Sequence, residues 1–504
     1  MVLGVAAAAL VFFLAARTGG ITWDEPVHRF GAVSQLRVAG NWLAGEPADF
    51  RKILSDLAFY GTIPIVLVTG LDDLSRHILG EAMSPLTFGI WLHALAFAFY
   101  GVTVILVFAT LRAATTTRAV PWIGAGFLML YPLWLGLGLF DYKDVPTATF
   151  VLLVVYCAGR ALAGDDRDFV RWTVFATLAT IALGGTKAAA VSLVIVPWIG
   201  LTYGAFVRRR WALPFLAAAG IVVGMVAVTP AAWAEPIAFF RSAIELMSRH
   251  PWPSCTLTDG ACLAPSKDGW SAAHYLWGWA STQLPVTVIV GLVPALGIAL
   301  WRGGTSRLAA ATLIFTIGAI LVRNTTLYDG LRHLAFAIPL AVVVLFVGID
   351  YAVTRWRRPA AFGILGLVGL EMASFVIDDV RMFPYNYVYF NVATRGGIDE
   401  SRYETEFWGF SGRETVMKAQ AKDEIRRPLA GNPPHVFAVG FGPHTKVWKL
   451  PALRDSGRTG TFTSFRLSRQ NAQPSPECQT LAKVERTLLG GRPMLLSYAE
   501  RCEL

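Results

Sequence analysis

Apolar runs of about 17 to 25 residues recur along the chain as far as residue 377, separated by short polar or basic intervals. A helix of that length crosses a hydrocarbon core while satisfying its own backbone donors and acceptors, so each run reads as a spanning helix. The pattern predicts spans near 2–16, 87–111, 119–140, 146–163, 172–185, 188–206, 211–233, 285–301, 308–322, 333–353 and 360–377, about eleven in all. Phe59–Leu71 is apolar but interrupted by Gly61, Pro64 and Gly70 and followed by Asp72 and Asp73, which fits an interfacial or re-entrant segment. The first run ends in small residues near Ala15 and Ala16, as a secretory signal does, but no basic leader precedes it, and it reads as a retained helix.

The intervals at 17–86 and 234–284 are longer, and from about Asp378 the chain turns polar and mixed, with Pro433-Pro434 and no span-length run. This organisation predicts an α-helical polytopic membrane domain, 1–377, with large external loops at 17–86 and 234–284, and a small extracytoplasmic α/β domain, 378–504. Within the latter His435–Gly440 and Met494–Tyr498 read as strands, whereas Glu477–Leu489 has helical spacing. The chain carries no internal repeat of the kind that marks many secondary transporters.

Composition narrows the picture. Hydrophobic residues make up 55% and charged residues 15% of the chain, against about 25% charged in soluble domains. The net charge of +10 does not point to nucleic acid, because the basic residues sit in short clusters between apolar runs. Arg112 and Arg118, Arg167 and Arg171, Arg208 to Arg210, Arg302 and Arg307, and Arg355, Arg357 and Arg358 occupy alternate loops, which the positive-inside rule makes cytoplasmic. The opposite short loops hold only Lys143, Lys187, Arg323 and Arg332, so the polar motifs below share the outer face. Cys157 lies in a span as a small apolar residue. Cys255 with Cys262, and Cys478 with Cys502, are candidate disulfides in an oxidising compartment; zinc binding is the competing reading, weakened by the lack of paired histidines.

Three constellations could carry chemistry. In Thr22-Trp23-Asp24-Glu25-Pro26, with His28 close behind, the carboxylates are either solvated loop charges or, held between a rigid proline and an aromatic residue, a general base towards an acceptor hydroxyl. Asp141-Tyr142-Lys143-Asp144-Val145-Pro146 packs its charges into one tight turn between spans, where ionisable groups are more often functional than accidental. In Tyr328-Asp329-Gly330-Leu331-Arg332-His333, either Arg332 snorkels and Asp329 caps the next helix, or a guanidinium, an imidazole and helix N-terminal amides form a phosphate site. Lys187 is a further cation on this face, for the same phosphate or for the interface. The loop 234–284 adds His250, Trp252, Trp270, Trp277 and Trp279, as an aromatic belt or as a cover for sugar faces.

These motifs, with Phe336 and Pro339 after His333, resemble those of phospholipid-carrier-dependent glycosyltransferases of the GT-C fold, a superfamily that includes protein O-mannosyltransferases and lipid A aminoarabinose transferases. Pro384-Tyr385-Asn386-Tyr387-Val388-Tyr389-Phe390-Asn391 and Tyr403-Glu404-Thr405-Glu406-Phe407-Trp408-Gly409 resemble the segment that opens the external domain in many bacterial members. The likeness runs in order over the first 410 or so residues. It implies an inverting transfer of a sugar from a polyprenyl-phosphate donor to a glycan, lipid or protein acceptor at the outer face of a bacterial inner membrane. Asp24 is then the catalytic base, with Glu25 beside it and Asp144 as the second acid. Lys143, Lys187, Arg332 and His333 hold the carrier phosphate, and Trp23, His28, Tyr328 and Asp329 line the pocket. Several relatives work without a metal; no cofactor is implied, and a divalent ion is conceivable but not indicated. The competing class is a transporter or flippase of an anionic lipid, whose charges should lie near the bilayer midplane.

Overall fold

The computed structural model describes residues 2–503 apart from 23, 54, 60–61, 249, 251, 253, 266–268, 422–434, 438–460 and 469–472. It opens with α1 (Val2–Thr18), α2 (Asp24–Leu43) and α3 (Thr62–Leu79). The bundle follows with α4 (Pro85–Ala114), α5 (Val120–Leu130), α6 (Pro132–Gly138), α7 (Asp144–Ala163), α8 (Asp166–Thr186), α9 (Ile195–Val207) and α10 (Ala212–Ala227). After α11 (Pro236–Ser248) comes the hairpin β1 (Thr256–Thr258) and β2 (Ala261–Leu263). The chain returns through α12 (Ala272–Gln283), α13 (Val286–Arg302), α14 (Gly304–Val322), α15 (Ala337–Arg355) and α16 (Arg358–Met382).

Among the described residues seven helical segments are long and apolar enough to cross a membrane, and nine if two bent pairs each count as one span. The chain is a multi-pass helical membrane protein. One bent pair is α5 with α6, at 65°. Here the expected span 119–140 breaks because Pro132 brings no backbone donor and forces Tyr131 into an extended conformation, φ −68°, ψ 114°. The other is α12 with α13, at 119°, turned at Leu284-Pro285. Helix α10 is shorter than the expected span 211–233 and is followed by the single turn Pro230–Ala232. Helix α15 is buried on nearly every side, Ala337 to Asp350, as the apolar run around its whole circumference requires. It packs against α4, α5, α7, α13, α14 and α16 and forms the bundle axis.

The C-terminal region contributes α17 (Gly412–Ala421) and four strands, β3 (His435–Phe437), β4 (Thr461–Leu467), β5 (Gln479–Thr487) and β6 (Pro493–Glu503). They form one sheet in the order β3-β4-β6-β5, with β3 parallel to β4 and the other pairs antiparallel. The helix expected over Glu477–Leu489 is therefore a strand. Two register irregularities, between Thr480 and Ala482 and between Val484 and Glu485, break the alternation of β5. Leu481 and Val484 of β5 and Leu488 just beyond it are all buried, at a spacing that mimics a helix. The expected strand His435–Gly440 is present as His435–Phe437, and residues 438–440 lie outside the described residues.

This region is seated on the bundle by close contacts. A side chain at Gly136 of α6 would place its Cβ 2.0 Å from the Tyr387 backbone nitrogen, so the turn Asn386–Val388 can lie on α6 only over a glycine. At the end of α16, Asp378 accepts both a bond from Arg395 at 2.8 Å and one from the Leu489 amide at 2.7 Å. Cys478 is joined to Cys502 within the sheet, and Cys255 to Cys262 across the β1–β2 hairpin.

Candidate active site

The first turn of α2 presents two adjacent acids, favoured there by the partial positive charge of a helix N-terminus. They point in different directions. Glu25 reaches back to accept the Thr22 amide at 2.8 Å, the second half of a Thr-x-x-Glu capping box, and its Oε1 also meets His93 Nε2 of α4 at 2.8 Å. It is 2% exposed. A Cβ at Gly89 of α4 would lie 2.5 Å from Glu25 Oε2, so α4 admits this carboxylate only where it has no side chain. Glu25, expected beside the catalytic base, thus turns its carboxylate into the fold towards α4, with Oε1 engaged by Thr22 and His93.

Asp24 faces the other way. Its Oδ2 receives Lys143 Nζ at 2.6 Å and lies 3.8 Å from Arg332 Nη1, and 34% of the side chain stays accessible. Lys143 arrives from the turn before α7, which Asp141 organises by accepting the amides of Lys143 at 3.1 Å and Asp144 at 2.9 Å. Asp144 opens α7 and takes Lys187 Nζ at 3.1 Å from the end of α8. Thr147 and Thr149 bond back to the carbonyls of Lys143 and Val145, so this part of the site stands on a rigid helix start. His28, one turn along α2, is 2.7 Å from the Tyr142 hydroxyl.

The fourth wall is the segment 328–334. Asp329 takes the left-handed conformation, φ 55°, which aspartate tolerates better than most side chains, and Gly330 follows at φ 67°. Asp329 does not cap a helix; it lies 3.2 Å from Arg332 Nη2, and α15 starts at Ala337 with no side-chain cap. Arg332 and His333 sit in a short 3-10 turn ahead of α15, so they approach the site through their side chains rather than on that helix's first amides. The guanidinium carbon lies 5.1 Å from the centre of the Tyr328 ring and 4.7 Å from that of Trp408. The Tyr328 ring stacks on Trp252 at 3.9 Å and meets His333 at 4.3 Å.

Electrostatics follow from this packing. Burial alone raises the Asp24 carboxyl, but Lys143, His28 and Arg332 outweigh it and hold the group well below the usual carboxylate range. Burial, helped by Lys143, pushes the His28 imidazole down to about 3, and burial with Arg332 and Lys187 lowers His333, so both rings are neutral near pH 7. Burial and the neighbouring Asp144 push the Asp141 carboxyl up to about 7.

The structure thus brings Asp24, His28, Lys143, Asp144, Lys187, Tyr328, Asp329, Arg332 and His333 together at one end of the bundle. Trp23 lies outside the described residues. The disulfide cysteines sit elsewhere. Three neighbours were not anticipated as site residues: His93 and Tyr142, which hold Glu25 and His28, and Trp408 against Arg332. The Tyr403–Gly409 string was the one available signal for the last of these.

The chain matches no family model and no curated protein sequence. Among solved structures it is similar to ArnT from Cupriavidus metallidurans in the apo state, with a TM-score of 0.50 at 12% identity, covering 99% of this chain and 97% of that one. The same ArnT bound to undecaprenyl phosphate matches with a TM-score of 0.50 at 14% identity over the same shares of the two chains. The chain therefore has the GT-C membrane fold that its motifs led us to expect, shared over nearly its whole length with these ArnT structures.

Proposed function

We propose that the protein is a membrane glycosyltransferase that moves a sugar from a polyprenyl-phosphate donor to an acceptor hydroxyl at the extracytoplasmic face of a bacterial inner membrane. One observation carries the reading: an accessible aspartate bonded to one cation and close to a second, with a second acid–cation pair beside it, all at helix ends of a GT-C bundle. A solved relative of this fold binds undecaprenyl phosphate, which fits a site rich in fixed cations. The placement of these charges at the bundle end, rather than at mid-depth, argues against a transporter.

In this mechanism the acceptor oxygen attacks the anomeric carbon as its proton passes to Asp24, and the bond from that carbon to the phosphate oxygen breaks. Polyprenyl phosphate leaves with the electron pair, and the sugar is inverted by the single displacement. Arg332, Lys143 and Lys187 hold the departing charge, and neutral His333 can donate a hydrogen bond to it. Asp24 in its present pairing is a weak base. A donor phosphate that draws Lys143 and Arg332 onto itself raises the proton affinity of Asp24, so donor binding switches the base on. Asp144 keeps Lys187 in place, and Glu25 fixes the first turn of α2. The test is mass spectrometry of envelope lipids and glycans from cells lacking the protein, complemented with the wild type or with Asp24→Asn. The wild type restores a sugar-modified species and Asp24→Asn does not; restoration by the variant at wild-type level contradicts the proposal.

A further inference from the structure

The loop Glu406–Ser411, which belongs to the C-terminal region, reaches the cation cluster. Glu406 is fully buried and accepts four bonds: Trp408 and Gly409 amides on Oε1 at 2.8 and 2.9 Å, and the Tyr387 hydroxyl and Ser411 amide on Oε2 at 2.6 and 3.2 Å. A buried carboxylate satisfied this completely is a rigid anchor for the loop. The same loop is tied to the turn ahead of Asp24, because Gly20 donates to the Phe410 carbonyl at 2.8 Å and Arg413 donates to Ala16 and Gly19 carbonyls at 2.7 and 3.2 Å. Trp408, 4% exposed, is pinned edge-on by Phe140 at 4.5 Å, immediately before the turn that supplies Lys143.

Arg332 thus lies against two aromatic rings, Tyr328 and Trp408, with Asp329 on one of its edges. A guanidinium held between two rings and a carboxylate in this way has little rotational freedom left to lose when it meets an anion. We propose that Trp408 is a positioning residue that fixes the Arg332 guanidinium in the orientation that meets the carrier phosphate, so that the C-terminal region completes the donor site. The inference rests on the proposed role of Arg332 at the phosphate. It makes no claim on the chemical step.

The experiment compares the full-length protein in detergent with Trp408→Leu and Trp408→Phe. Binding of undecaprenyl phosphate and of undecaprenol, the same lipid without phosphate, is measured together with the rate at which phenylglyoxal modifies Arg332, followed by mass spectrometry. The expected result is a roughly tenfold weaker affinity of Trp408→Leu for undecaprenyl phosphate, unchanged undecaprenol binding, near wild-type behaviour of Trp408→Phe, and faster Arg332 modification in the leucine variant. Unchanged phosphate affinity in Trp408→Leu overturns the proposal. So does an equal loss for both lipids, or an equal loss in the phenylalanine variant, since either marks a mere packing role. A wild type that does not prefer the phosphate contradicts the functional reading instead, and the Arg332 modification rate then decides the positioning role alone. Should Trp408→Leu not fold, Trp408→Met, whose unbranched flexible side chain fills irregular space, carries the same comparison.

Discussion

Asp24 and Asp350 are acids at opposite ends of the bundle, and their surroundings could hardly differ more. Asp350, near the end of α15, is fully buried. It accepts the amides of Thr116 and Thr117 at 3.1 and 2.9 Å and Arg302 Nη1 at 2.6 Å. These bonds clamp the α4–α5 loop and the end of α13 onto α15. Asp24 receives a cation on an accessible face, with a second cation close by, and among the described residues it accepts no backbone amide. An acid whose bonds go to backbone amides holds the fold, whereas an accessible acid paired with side-chain cations is available for chemistry. Hydropathy alone cannot separate the two.

The largest predicted effect sharpens this contrast. Asp24→Asn lowers sugar transfer per folded molecule by roughly a hundredfold or more, because a general base is lost with almost no change of shape, and the thermal midpoint falls only by the lost pairing with Lys143. A variant within about twofold of wild-type rate removes Asp24 from the mechanism. Asp350→Ala gives the reverse pattern, a loss of about 3 kcal/mol in stability with transfer per folded molecule unchanged, measured by denaturant unfolding beside a single-turnover assay. Equal losses of activity and stability in both variants would erase the distinction.

Arg332→Ala comes next, with a KM for the donor raised on the order of tenfold or more and a smaller change in kcat; a pure kcat effect argues against a ground-state phosphate contact. Smallest is a pH effect at Asp141, whose folded carboxyl titrates near 7 under burial and the influence of Asp144, Lys143 and Arg332. A raised carboxyl favours the fold while protonated, so its penalty grows as pH rises from the unfolded value near 4 towards 7 and is constant above. Asp141→Asn keeps an acceptor for the Lys143 and Asp144 amides, removes that slope, and stabilises the protein at pH 8 relative to pH 4, as thermal midpoints across pH will show. Asp24 behaves oppositely: its depressed carboxyl contributes stability above the ordinary carboxylate range, lost only as pH falls below it.

Much of the architecture was legible because membrane spans are a length-and-polarity problem, and the three charged motifs stood out as exceptions to it. What escaped depends on tertiary packing. Nothing local told that Glu25 turns inward, since its partner His93 and the gap at Gly89 lie on another helix. The strand β5 was hidden by its own register irregularities. The break at Tyr131 was written in Pro132 but outweighed by an unbroken apolar run. Trp408 meets Arg332 only after the C-terminal region folds back over the bundle.

The central claim is that Asp24 and the cations at 143, 187 and 332 form one donor site at the outer leaflet. Cryo-electron microscopy of the protein in lipid nanodiscs loaded with undecaprenyl phosphate tests it most directly. The account predicts phosphate density within hydrogen-bond distance of Arg332 and at least one of the two lysines, beside Asp24. A phosphate bound elsewhere, with this cluster unchanged and walled off from lipid, contradicts it.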